Sequence, residues 1–333
     1  MESPNLPETL CGAFALGTPL SELQPVPGGF SHRVWKLKTT VGMFAIKQLN
    51  PTVVARPGAL ARFRATERVA VAFRVAGIPA VVARDADSDP LRELGGTWWA
   101  AYPWVDGEAV PLSEVTVDHA RAVGALLGQL HRCKVSHAGV PGQSTRAISA
   151  DHWRDLGTRS AGRPWSKQLT DALPVVISLS AEYAAAAEEL RTEPAVVSHR
   201  DVIPENILWG PNTTWLIDWE GAAWTNPFVE LVSAAIDWSG YIEGRSDPLL
   251  FAALLAGYRA VAPFDPAQAL RAIPVSSGSW LRWLAYNITR ALGEASSAED
   301  QQVGLEQTLS SLRAFGQVRA HQPEWRTWIT GAT

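Results

Sequence analysis

The sequence predicts an α+β chain in two parts, a small antiparallel sheet with one helix followed by a larger, mainly helical part. Three observations lead there. Residues 20–49 alternate apolar and polar side chains between short turns, the period-two pattern of strands. Residues 59–76, ALARFRATERVAVAFRVA, carry apolar side chains at helical spacing and stop before Gly77. From Val117 onward the apolar spacing is almost wholly helical.

In chain order, LSELQPV, a PGGFSHR turn, VWKLKTT, a turn at Val41–Gly42 and MFAIKQL form a three-stranded meander. PAVVARDADSD and TWWAAYPWVDG read as two further strands, ending the small domain at residue 103. DHARAVGALLGQLHRCK is an amphipathic helix, and QLTDALPVVISLSAEYAAAAEELR holds another, broken near Pro174. The stretch 139–164 between them, with Gly and Pro at both ends, reads as irregular connection. Four more helices follow the segment at 199–218, over VELVSAAIDWSGYIEG, DPLLFAALLAGYRAVA, SWLRWLAYNITRALGE and QQVGLEQTLSSLRAFGQV. Domains over 1–103 and 104–333 accord with a length of 333 residues, beyond the usual range of one core.

Composition excludes several classes. Hydrophobic residues at 47% and charged residues at 19% describe an ordinary globular chain. A net charge of −4 gives no basic footprint for nucleic acid. Cys11 and Cys133 are too few for a disulfide framework and match no metal spacing, as expected of inert thiols in a reducing compartment. The opening MESPNLPETL has acids and prolines where a secretory signal needs a basic and then an apolar stretch. No apolar run approaches the roughly 18–20 residues that span a bilayer. The expectation is a cytoplasmic protein with no membrane partner.

The most informative stretch is VVSHRDVIPENILW, closed by LIDWE. NILW and WLIDW read as two short strands joined at GPNTT, with Asn206 and Asp218 equally far from Asn212 at the centre of the turn. A tight hairpin then sets them side by side as cross-strand neighbours. An amide oxygen and a carboxylate so placed suit Mg²⁺, a hard cation that brings substrate phosphates with it. Asp201, five residues before Asn206, falls on the preceding loop, where its carboxylate can accept the proton of an attacking hydroxyl. The joint pattern points to phosphoryl transfer from ATP.

The nucleotide half is read from the small domain. Lys47 is the one amine in the apolar strand FAIKQL, and Glu67 on the following helix is a candidate to hold it toward the α- and β-phosphates. Gly28 and Gly29 permit close approach of backbone N–H groups to phosphate, and Ser31 adds a hydroxyl. Tyr102 and Trp104, in the crossover WWAAYPWVDG, are candidates to bind adenine through main-chain groups.

Taken together, FAIK, Glu67, YPWVDG, HRDVIPEN and LIDWE resemble the aminoglycoside phosphotransferase and choline kinase family over roughly residues 25–240. The resemblance implies a two-lobed protein-kinase-like fold, with a nucleotide-binding N-terminal lobe and a catalytic, acceptor-binding helical C-terminal lobe. It implies Asp201 as base, Asn206 and Asp218 as Mg²⁺ ligands, and Lys47 as the phosphate-binding lysine. The chain departs from the family in having Arg200 after the motif histidine, as protein kinases do. Against a protein kinase stand Ile203 where a lysine belongs, Asp218-Trp219-Glu220 in place of D-F-G, and only nine residues between Asp218 and Phe228. A small-molecule acceptor is therefore expected; a binding module without turnover is the other class, separated from it by Mg-dependent ATP turnover.

Acceptor candidates lie in the last third. Trp283, Asn287, Arg290 and Glu294 share one helix face by spacing, and Glu230 and Asp237 share another. Residues 230–333 hold ten acids against eight arginines, which is no acidic funnel for a polycation. An antibiotic, a sugar, an amino alcohol and a nucleoside-like metabolite all stay open as the acceptor.

Overall fold

The computed structural model describes residues 5–28, 31–85, 88–135, 139–140, 142, 146–294 and 297–331. In chain order come α1 (Leu6–Phe14), β1 (Gln24–Val26), β2 (Arg33–Thr39), β3 (Gly42–Gln48), α2 (Pro51–Val54), α3 (Ala59–Val75), β4 (Arg92–Leu94), β5 (Thr97–Pro103) and β6 (Glu108–Ala109). Then follow α4 (Val117–Arg132), α5 (Ala150–Arg159), α6 (Ser166–Glu189), β7 (Val196–Ser198), β8 (Ile207–Trp209), β9 (Thr214–Leu216) and β10 (Ala223–Thr225). The chain ends in α7 (Pro227–Trp238), α8 (Pro248–Arg259), α9 (Pro266–Ala291) and α10 (Ala298–Gly331). These elements divide into two compact units. One comprises Met1–Val110, Val135–Pro141 and Glu205–Ala223, and the other Pro111–Lys134, Gly142–Pro204 and Trp224–Thr333.

The first unit is built on an antiparallel sheet in the order β1-β2-β3-β5-β4. Residues opposite one another share a face, so one face carries Trp35, Leu37, Phe44, Ile46, Trp99 and Ala101. These pack on Leu10, Cys11 and Phe14 of α1, a helix that the reading of the N-terminus did not anticipate. The opposite face carries Lys47, Ala100 and Tyr102, and Phe63 of α3 packs there beside Ala100, Leu49 and Leu91. A second sheet, β6-β8-β9, belongs to the same unit. Residues 79–85, expected as a strand, make only a parallel bridge from Ala80 to Leu216. Two causes are visible: Pro79 has no N–H to donate, and Asp85 turns the chain at a φ of 56°.

The second unit is helical. Glycines bring α4 and α8 into close contact: a Cβ on Gly124 would lie 1.9 Å from the Leu254 carbonyl oxygen, and one on Gly257 would lie 2.0 Å from that of Arg121. Helix α6 runs unbroken through Pro174, because Leu169 and Val176 on either side are both completely buried and packing outweighs the lost hydrogen bond. The stretch expected to be irregular holds α5. Ser149 caps it by accepting the His152 N–H, and its buried Trp153 donates an indole N–H to Ser180 of α6. Among the described residues no helix is long and apolar enough to cross a membrane.

The α4–α8 contact yields a prediction. A methyl at Gly257 meets backbone, which cannot rotate away, so Gly257→Ala should destabilise the helical unit by about 1–3 kcal/mol. Calorimetric unfolding of wild type and variant would measure it; an unchanged transition would mean that the two helices can separate freely.

Candidate active site

Lys47 sits on an apolar sheet face with 7% of its surface exposed, so its charge needs a partner. Its ammonium donates to Asp218 Oδ1 at 2.8 Å and lies 3.4 Å from Glu220 Oε2. Burial by itself would lower the affinity of this amine for its proton, but the carboxylates of Asp218 and Glu220 overcome that and hold it above its ordinary value. Burial likewise pushes Glu220 up, and Lys47 and His32 pull it well below the usual carboxylate range. Two contacts place Glu220. Trp219 is buried and stacked on Phe73 of α3 with ring centroids 5.2 Å apart, and its indole N–H donates to the Leu216 carbonyl. Glu220 was missed in the sequence, although it stands two residues from Asp218 in LIDWE.

Glu67, expected to hold Lys47, bonds elsewhere. Its two oxygens accept the Tyr102 hydroxyl at 2.8 Å and the Ala83 N–H at 3.1 Å. Burial pushes its carboxyl up to about 7, against the pull of those hydrogen bonds and of Lys47. The expected adenine contacts are also corrected. The Trp104 N–H donates to the Met43 carbonyl at 2.9 Å, and its ring lies under the Lys36 ammonium at 4.4 Å. Hydrogen-bonded positions of an antiparallel pair recur every second residue, so Tyr102, opposite Ala45, also turns its main-chain groups toward β3. The carbonyls of Ala101 and Pro103 face the other way, and that of Ala101 accepts the Arg84 N–H. Gly28 adopts a left-handed φ of 101° in the β1–β2 turn and Ser31 is half-buried. Gly29 lies outside the described residues.

The hairpin forms with its register one residue away from the expected one. Ile207 pairs with Leu216, and the Ile217 N–H donates to the Asn206 carbonyl, so Asn206 stands opposite Ile217 rather than Asp218. The cause is the turn. Gly210 donates its N–H to Thr213 and leaves Pro211 and Asn212 as the two corner residues, which centres the hairpin between them. Asp218 then leaves the strand at a left-handed φ of 62°, rare for a residue with a side chain. Among the described residues no three His, Cys, Asp or Glu side chains converge as a metal cluster. Asn206 and Asp218 carry the donor types of a sparse oxygen set, one amide and one carboxylate. That set fits Mg²⁺, which keeps waters and substrate phosphates in the rest of its shell.

In the second unit the loop His199–Val202 is pinned from beneath by α7. Glu230 Oε1 accepts the Arg200 N–H at 2.6 Å, and the Trp238 indole donates to the Val202 carbonyl at 2.8 Å. His199 is completely buried and takes the Asp201 N–H on Nδ1. The Asp201 residue itself is exposed between these anchors, and Arg200 is left-handed at a φ of 67°. The other oxygen of Glu230 lies 3.0 Å from His131 Nε2, and His131 Nδ1 lies 3.0 Å from the Tyr258 hydroxyl. Burial pushes Glu230 up, but the His131 and Arg200 hydrogen bonds leave it below its ordinary value. Glu230 is thus a brace for the loop, and its expected part in acceptor binding is withdrawn. His131 and Tyr258 could not be picked out of their helices by spacing.

The other acceptor stripe is a helix seam. Asn287 is completely buried, donates to the Trp283 carbonyl and accepts Arg290 Nη1 at 2.8 Å. Arg290 is 1% exposed and paired with Asp300 at the start of α10, where Gly304 leaves room for it. The middle of the polar face expected to meet an acceptor, Asn287 and Arg290, is therefore covered, while Glu294 at its end is exposed and pairs with Arg159. Trp283 stays half-buried, with its ring 5.8 Å from that of Tyr286. Asp237 is also half-buried and accepts the Trp280 indole N–H at 3.0 Å.

The state of Glu67 sets a pH dependence. Its carboxyl binds a proton up to about 7 in the folded chain, against an ordinary 4.5, so the folded state holds the extra proton between these values. The stability that Glu67 contributes is full below pH 4.5 and lost as pH rises through 7, in total about 3 kcal/mol. Urea unfolding of wild type and Glu67→Gln at several pH values should show wild type losing about 2–3 kcal/mol relative to the variant from pH 5 to 8. Parallel pH profiles would mean that Glu67 is ionised throughout.

Known proteins resemble the chain at three levels. A model of the phosphotransferase enzyme family matches residues 22–268. Homoserine kinase of Pseudomonas aeruginosa is 28% identical over 204 residues, 58% of this chain and 59% of that protein. The chain thus spans under two thirds of that relative's length. Homoserine kinase of Rhizobium johnstonii is 28% identical over 230 residues, 68% of each chain. Among solved structures, a spectinomycin phosphotransferase in complex with ADP and spectinomycin superposes with a TM-score of 0.68 at 11% identity, over 95% of this chain and 99% of that one. An ethanolamine kinase of Plasmodium vivax gives 0.58 at 15%, over 87% and 81%. At such identities the structural likeness is one of fold, and the fold is protein-kinase-like. With its model matched over most of the sequence, the chain belongs to the phosphotransferase enzyme family.

Proposed function

We propose that this chain transfers the γ-phosphate of ATP to a hydroxyl group of a small molecule. The observation that carries the reading is the ion pair from Lys47 on β3 to Asp218 after β9, which joins a candidate phosphate ligand to a candidate metal ligand within one unit. The ammonium of Lys47 binds the α- and β-phosphates. Gly28 and Ser31 offer an N–H and a hydroxyl to phosphate oxygens, and the Pro103 carbonyl is an acceptor for the exocyclic amine of adenine. In this reading residues 1–103 serve the nucleotide, and residues 104–333 carry the base and the acceptor site. Asn206 and Asp218 hold Mg²⁺, which when bound neutralises charge on the β- and γ-phosphate oxygens.

Asp201 is the base. Its neighbours on both sides are tied to α7, which fixes its backbone, and the residue is exposed, as a base for a substrate hydroxyl must be. Homoserine is the first acceptor to assay, since curated relatives bear the name homoserine kinase. Spectinomycin and ethanolamine follow from the structural neighbours. The short path from Asp218 to α7 leaves no room for a long peptide-docking segment and supports a small acceptor.

Asp201→Asn should keep the fold and Mg·ATP binding and lose about 10²–10⁴-fold in turnover. ADP release in the presence of homoserine, amino alcohols, sugars and aminocyclitol antibiotics measures this. A variant within about threefold of wild type would remove Asp201 from the role of base. Radiolabel from γ-labelled ATP should enter the low-molecular-weight fraction; label in protein would favour a protein kinase instead.

A further inference from the structure

Lys47 requires a carboxylate that stays with it when its ammonium turns to phosphates, and Glu67 does not contact it. The oxygens of Glu67 are occupied by the Tyr102 hydroxyl and the Ala83 N–H. Asp218 is bonded to Lys47 but is also a proposed metal ligand, so it cannot serve the lysine alone. Glu220 is the remaining neighbour, and His32 fixes it. The His32 imidazole is 6% exposed and anchored at both ends. The Asn50 N–H donates to Nδ1 at 2.9 Å, so Nδ1 is the acceptor and Nε2 carries the hydrogen. That Nε2–H donates to Glu220 Oε2 at 2.8 Å, the same oxygen that faces Lys47 at 3.4 Å. Asn50 follows Lys47 by three residues, so the contacts run from the chain after β3 through the imidazole and the carboxylate back to the Lys47 ammonium.

We infer that His32 is a positioning residue that, through Glu220, holds the Lys47 ammonium for the nucleotide, the part expected of Glu67. The inference rests on the proposed phosphate role of Lys47. It places a contact from the residue just past the β1–β2 turn in control of the nucleotide site, and it assigns Glu67 to the hydrogen bonds that tie α3 to the Tyr102 hydroxyl and the Ala83 N–H.

The test uses Mg·ATP binding to the full chain by calorimetry, together with KM for ATP and kcat. His32→Asn keeps an oxygen for the Asn50 N–H but does not reach Glu220. It should retain the wild-type unfolding transition and weaken Mg·ATP binding about tenfold, as expected for loss of a hydrogen bond to a charged group. His32→Gln can present its amide N–H where the imidazole Nε2 stands and should stay within about twofold, as should Glu67→Gln. The double variant of His32→Asn with Glu220→Gln should bind no more weakly than Glu220→Gln alone, because both changes break one path. Additive losses, equal losses in His32→Asn and His32→Gln, or a Glu67→Gln loss as large as that of His32→Asn would each overturn the inference. Lys47→Met separates the premise from the inference. If that variant binds Mg·ATP as tightly as wild type, the phosphate role of Lys47 falls and this inference with it. If Lys47→Met is weak and His32→Asn binds as wild type, the inference alone falls.

Discussion

A buried ammonium on an apolar sheet face organises the first unit. Lys47 stands on β3 with Ala100 of β5 opposite and Phe63 of α3 nearby, surroundings that give a charge no hydration. Only carboxylates brought from elsewhere in the chain make that position tolerable. The hairpin β8–β9 delivers them, and the features that place the hairpin all serve that end. Its turn corners at Pro211–Asn212, β9 is tied to residues 79–81, Trp219 is seated on Phe73, and Asp218 turns out of the strand. Because breaking a buried pair leaves an uncompensated charge, the geometry of this unit is tightly constrained around one nitrogen.

The second unit applies the same rule to a carboxylate. Glu230 enters the interior on the first turn of α7 and is made tolerable by His131, which reaches Tyr258 in turn. The remaining oxygen of Glu230 is spent on the backbone of the loop that carries Asp201. That N–H belongs to Arg200, whose left-handed backbone is the kind of strain that persists only where surrounding contacts over-determine it. Helices α4 and α8 supply His131 and Tyr258, and they approach closely only because glycines line their contact. Packing far from the loop therefore reaches it through three hydrogen-bonded side chains.

Much of the fold was legible locally. Strand alternation in 20–49, the helix at 59–75 and the helices after residue 117 appear because amphipathic periodicity records which face is buried. The helix at 6–14 escaped notice because its short span, with Pro7 in its first turn, carries a weak periodic signal. Helix α5 escaped because glycines and prolines flank it. Pro174 misled in the other direction: a local rule against proline lost to packing on both sides of it. The hairpin register failed by one residue because a turn centred on a residue and one centred between two residues are compatible with almost the same apolar pattern.

By itself the sequence determined the inventory: the α+β order of elements, and the stretches that carry Lys47, Asp201, Asn206 and Asp218. Those follow from short-range rules, and short-range rules are written in spacing. Only the tertiary structure decided who partners whom. Lys47 went to Asp218 and Glu220 because Tyr102 and Ala83 had already taken the oxygens of Glu67. Asn287 and Arg290 turned from an open polar stripe into the inside of a helix seam because α10 lies over them. Periodicity states that a side chain shares a face with others. Whether that face meets water, a second helix or a buried charge depends on other elements of the chain, ten residues away for Asp300 on Arg290 and 171 for Asp218 on Lys47, and no local spacing carries that information.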